Sequence, residues 1–165
     1  MITKESIKNK FQSIFDQEPI VVRSPGRINI IGEHTDYNDG FVLPAAIDKA
    51  VYIAVGKRED NLISLFAEDY QAKYEVALAD IAITDLHWPN YILGVVDQIQ
   101  KRGFTVGGFN LYIDGDVPLG AGLSSSAAVE CATTLALSEL FQLNIERLDI
   151  PKIGQLAEHT YAGVK

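Results

Sequence analysis

Two short stretches gather most of the residues able to do chemistry. The first is GRINIIGEHTDYNDG, residues 26–40, with Arg27, Glu33, His34 and Asp36 around an apolar run. Ionised carboxylates only accept hydrogen bonds, so Glu33 and Asp36 can each engage vicinal hydroxyls of a polyol, while His34 can donate or accept. A solvated polar turn, favoured by Asn38, Asp39 and Gly40, fits the same residues. A calcium loop does not fit, because its register from Asp36 puts Gly40 at position five and Ile47 at position twelve. A zinc site would need more ligands than His34 at suitable spacing. Arg27 either pairs with a surface carboxylate or stabilises charge on a transferring phosphoryl group, a usual task of a fixed guanidinium.

The second stretch is DVPLGAGLSSSAAVE, residues 116–130. Glycines let the backbone approach a ligand closely, and the amides and dipole of a helix start attract an anion. Ser124, Ser125 and Ser126 add hydroxyl donors, one of which can ligate a metal. On physical grounds this is a phosphate cradle. It is not a Walker loop, since it has no lysine, and it lacks the third glycine of the dinucleotide fingerprint, because Gly120 and Gly122 are followed by Ser125. An ordinary serine-capped helix after a glycine turn explains the same residues.

These stretches need elements to hold them. Residues 3–15 have the apolar stripe of a helix, with Ile7, Phe11, Ile14 and Phe15 on one side. PIVVRSPG reads as a short strand ended at Pro25-Gly26, and INII as a resumed extended run. FVLPAAI, AVYIAVGKR, NLISLFA and AKYEVAL read as further strands. WPNYILGVVDQIQKRG has Pro89 at a helix start and Gly103 at a helix end. GFNLYIDG is a strand leading into the glycine loop, and LSSSAAVECATTLALSELFQL a long helix leaving it. A last helix begins near Pro151. Early strands and late helices predict an α+β fold, a mixed sheet with helices on one face.

Composition sets the bounds. The chain has 165 residues, of which 47% are apolar, enough for a real core. A net charge of −8 argues against nucleic acid and anionic membranes as partners. The single cysteine, Cys131, allows no internal disulfide and fits a cytoplasmic location. No apolar run is long enough to span a membrane.

Taken together, GRINIIGEHTDYNDGFVLPAAID resembles the galactokinase signature, and VPLGAGLSSSAAVE resembles the second motif of the GHMP kinase superfamily, in matching order and separation. The resemblance covers essentially the whole chain. It implies transfer of the ATP γ-phosphoryl group to the C1 hydroxyl of α-D-galactose, in a cleft between two lobes, of which residues 1–165 are the N-terminal one. Arg27 matches the transition-state stabiliser, and Glu33, His34, Thr35 and Asp36 match the sugar-binding turn. Gly120, Ala121, Gly122, Leu123, Ser124, Ser125 and Ser126 match the ATP loop. Ser126 and Glu158 match the Mg2+ ligands, and only the resemblance distinguishes Glu158 from any other helix glutamate. Trp88 matches a tryptophan near the adenine, though core packing would explain it equally well.

In galactokinases the general base is an aspartate following a stretch like HTYAGV, so the resemblance places it beyond Lys165. The expectation is a lobe that is inactive alone, with its C-terminal partner lobe absent and an apolar face inviting self-association. Two other readings share these motifs: an N-acetylgalactosamine kinase, and a non-catalytic galactose- and ATP-binding regulator.

Overall fold

The computed structural model describes residues 1–32, 38, 40–118 and 122–163. Among these, five strands form one mixed sheet: β1 (Ile20–Ile31), β2 (Leu43–Lys57), β3 (Leu62–Ala67), β4 (Ala72–Ala77) and β5 (Phe109–Gly115). Their order is β1-β2-β5-β3-β4, antiparallel except for the β3–β5 pair. The helices are α1 (Lys4–Phe15), α2 (Trp88–Lys101), α3 (Ser125–Phe141) and α4 (Ile150–Ala157), the last running into a π-helical turn, Glu158–Ala162.

The β1–β2 pair departs from the sequence reading. Pro25-Gly26 does not end a strand, and FVLPAAI and AVYIAVGKR join into one strand of 15 residues. The reason is position. β1 is an edge strand, where a proline lacking its N–H is tolerated, and a register shift between Pro25 and Arg27 absorbs the irregularity. Because β5 pairs with β2 only from Val51 onward, the far half of this hairpin has no third strand beside it. There Ile28, Ile30, Ile31 and Leu43 are exposed.

Alternation along the strands sorts the two faces of the sheet. Val51, Ile53 and Val55 of β2, Ile63 and Leu65 of β3, and Phe109 and Leu111 of β5 meet α2, α3 and α4. These three helices share one face, as the sequence reading expects. α1 lies on the other face, where Ile7 and Phe11 pack on Ala54 and Tyr112. It rests mainly on β2 and β5 and reaches the edge of β1. Thr3 caps it reciprocally: the Ser6 N–H donates to Thr3 Oγ1 at 3.1 Å, and the Thr3 N–H donates to Ser6 Oγ at 3.0 Å. α3 is at least partly buried on nearly every side, polar Thr133, Thr134 and Ser138 included, because it is wedged between the sheet and the other two helices. Its alanines Ala128, Ala132 and Ala136 permit that close approach.

Candidate functional site

The glycine-serine loop leaves β5 and opens α3, as its sequence requires. Gly122 has φ +70° and Ser124 φ +57°, so the chain turns sharply before Ser125. The first helical bond runs from the Ala128 N–H to the Ser124 carbonyl at 3.0 Å. Ser124 occupies the cap position, yet its side chain makes no cap hydrogen bond. That departs from the serine-cap explanation and leaves the first-turn amides without a side-chain partner from Ser124.

Arg27 sits beside this loop. Its backbone N–H donates to the Leu123 carbonyl at 3.1 Å, tying the bulged part of β1 to the residue before the serines. Gly26 makes the approach possible: a Cβ there would lie 3.0 Å from the Leu123 carbonyl oxygen and 3.1 Å from Ile47 Cδ1. The Arg27 side chain itself is exposed.

On the α3 side, Ser126 Oγ donates to Glu158 Oε1 at 2.6 Å. The two residues are 32 positions apart and come together because α3 and α4 pack side by side. Glu158 opens the π-helical turn, a local widening that often marks functional positions. A hydroxyl and a carboxylate are hard oxygen donors, the kind Mg2+ takes together with waters and substrate phosphates. Among the described residues no group of three or more His, Cys, Asp or Glu side chains could hold a metal, so a cation here would need ligands from substrate or solvent.

A cavity of about 320 Å³ adjoins these serines. Trp88, Tyr70, Tyr91, Ser125, Ser126 and Val129 are among its walls. Trp88 stacks on Tyr70 with ring centroids 6.1 Å apart and planes 16° from parallel. Trp88 also packs against the core, which is the packing reading of it. Beneath the Ser126–Glu158 bond lies Glu130, only 1% exposed, whose Oε1 has no hydrogen-bond partner among the described residues. Burial, and next the charge of Glu158, push its carboxyl up to about 9. Burial also raises Tyr91, with smaller contributions from Glu158 and Glu130.

The structure therefore brings together Arg27, Gly122 to Ser126, Trp88 and Glu158. Glu33, His34, Thr35, Asp36, Gly120 and Ala121 lie outside the described residues. Sequence reasoning missed Tyr70, Tyr91 and Glu130. Tyr91 stands three residues after Trp88 on α2, and Glu130 four after Ser126 on α3, spacings that place each pair on one helix face. Tyr70, in the β3–β4 turn, gives no such signal.

Residues 9–57 match the galactokinase galactose-binding signature, and residues 90–165 match the GHMP kinases N-terminal domain. The solved galactokinase of Lactococcus lactis, complexed with galactose, is 37% identical with a TM-score of 0.92, over 98% of this chain and 43% of that one. The chain belongs to the galactokinase family, within the GHMP kinases. Two more distant relatives share the fold. The Methanococcus jannaschii mevalonate kinase has a TM-score of 0.75 at 22% identity, over 86% of this chain and 46% of that one. The Streptococcus pneumoniae phosphomevalonate kinase has a TM-score of 0.61 at 19% identity, over 84% and 40%. This galactokinase-family chain thus spans less than half the length of each of these structures.

Proposed function

We propose that residues 1–165 form the sugar- and nucleotide-loop-bearing N-terminal lobe of a galactokinase, which transfers the γ-phosphoryl group of ATP to the C1 hydroxyl of α-D-galactose. The observation that carries this reading is the Arg27 N–H bond to the Leu123 carbonyl at 3.1 Å. It joins the strand of the galactose-binding signature to the loop of the GHMP kinase domain.

In this reading Glu33, His34, Thr35 and Asp36 hold the sugar hydroxyls, and the backbone of Gly120 to Ser126 receives the phosphates. The cavity between Trp88 and Tyr70 takes the adenine, since a flat π system suits a stacked aromatic wall. Arg27 steadies the charge that develops on the phosphoryl group in flight. Ser126 and Glu158 are the residues that would hold Mg2+. A cation held there would offset the negative charge of the phosphates. No carboxylate near the loop is assigned as the base: Asp114 Oδ1 accepts from the Gly115 N–H at 2.8 Å, and Asp116 Oδ1 from the Ala50 N–H at 2.8 Å.

No helix among the described residues is long and apolar enough to cross a membrane. The lone cysteine, which burial raises, supports a cytoplasmic setting. The exposed Ile28, Ile30, Ile31 and Leu43 support self-association through that end of the hairpin.

Calorimetric titration with galactose and with ATP plus Mg2+ tests the reading, beside a coupled kinase assay with galactose and N-acetylgalactosamine as competing acceptors. The expected result is binding of both ligands and phosphorylation of galactose by the kinase of which this lobe is part. Absence of both binding heats would sink it, and preference for the acetylated sugar would correct the acceptor.

A further inference from the structure

The loop between β5 and α3 is fastened at both ends. At its exit the fastening is the Arg27–Leu123 bond described above. At its entry it is Asp116, a residue to which the sequence motifs give no role. The Asp116 N–H donates to the Ala50 carbonyl at 3.1 Å, and the Ala50 N–H donates back to Asp116 Oδ1 at 2.8 Å. The two residues are 66 positions apart. This two-bond ring continues the β2–β5 ladder one step past its last pair, Val51 with Gly115. Gly115 permits it, because a Cβ there would stand 2.9 Å from the Ala50 carbonyl oxygen. Ala50 is buried and stands opposite Pro25 of β1 in the sheet. A carboxylate accepting from a backbone amide is among the stronger hydrogen bonds, and here it fixes where the loop leaves the sheet. Lys49 Nζ lies 3.9 Å from Asp116 Oδ2, a surface pair that adds little.

We propose that Asp116 is a positioning residue for the nucleotide site: its bond to Ala50 sets where the chain leaves β5 on its way to the amides of Gly122 to Ser126, and its charge plays no part in binding. The inference rests on the nucleotide reading of the site. If the carboxylate acted through its charge, it would repel ATP phosphates, and its removal would tighten binding. If it acts by position, its removal loosens binding, and asparagine, whose side-chain oxygen also accepts, restores it.

Trp88 is the sole tryptophan and lines the cavity, so its fluorescence reports nucleotide entry directly. Titration of ATP plus Mg2+ into the wild-type chain, Asp116→Ala and Asp116→Asn is run beside urea unfolding of each and calorimetric titration with galactose. The expected result is ATP binding about tenfold weaker in Asp116→Ala and within about threefold of wild type in Asp116→Asn, with galactose affinity unchanged in both. Equal or tighter ATP binding in Asp116→Ala overturns the proposal while leaving the nucleotide reading intact. A tenfold loss in Asp116→Asn also overturns it, and that variant suffices if the alanine form does not fold. No fluorescence or calorimetric response to ATP in the wild type overturns the nucleotide reading and this inference together.

Discussion

Glu130 is a carboxyl placed where ionisation is costly, and its effect on stability has a definite sign. Its ordinary value is 4.5, and burial raises the native value to about 9. Below the unfolded value both states hold the proton and nothing is lost. As pH rises, the unfolded chain releases a proton that the native state keeps, so unfolding becomes easier until the native value is reached. Each pH unit in that window costs about 1.36 kcal/mol, so between pH 5 and pH 8 this one group removes about 4 kcal/mol of stability. That is a large part of the roughly 5–15 kcal/mol available to a domain. Glu130→Gln keeps the shape and cannot ionise. Urea unfolding at 25 °C, at unit pH steps from 5 to 8 and with a chelator present, measures the difference directly. Other titrating groups are common to both proteins and cancel. The expected result is a wild-type curve falling away from the variant's by about 4 kcal/mol over that range. Parallel curves would show that the carboxyl is solvated or paired in the native state, and the reasoning from its burial would be refuted.

Three further outcomes follow from the same geometry. Arg27→Ala should lower kcat of the kinase containing this lobe by about 10³-fold while leaving the galactose dissociation constant nearly unchanged, a split read by steady-state kinetics and calorimetry. Ser126→Ala removes the partner of Glu158 and, in the proposed reading, a cation ligand; Mn2+ affinity in the presence of ADP, followed by electron paramagnetic resonance, should fall about tenfold or more. Gly26→Ala puts a methyl group against the Leu123 carbonyl oxygen and Ile47, and should cost about 1–3 kcal/mol in urea unfolding along with weaker ATP binding. A neutral result there would mean the β1–loop contact is loose.

Much of this lobe was legible in the residue order because its signals are local. Apolar stripes, strand alternation, Pro89 at a helix start and Gly103 at a helix end mark α1, α2, β3, β4 and β5 within a residue or two. The two motifs also pointed to sugar and phosphate chemistry before any geometry was known. Pro25 misled because a proline's effect depends on whether its strand is an edge, which is a property of the sheet. The face chosen by α1 was hidden for a similar reason: an apolar stripe states that a face is needed and leaves the choice of face open.

What the sequence alone determined are most of the elements, the loop chemistry and the family resemblance, since each follows from residues close together in the chain. The tertiary structure alone decided that Ser126 meets Glu158, that Tyr70 stacks on Trp88, that Glu130 is sealed beneath them and that Asp116 grips Ala50. These pairs lie far apart along the chain or depend on which helix covers which face, and only packing of the assembled sheet and helices brings them within bonding distance.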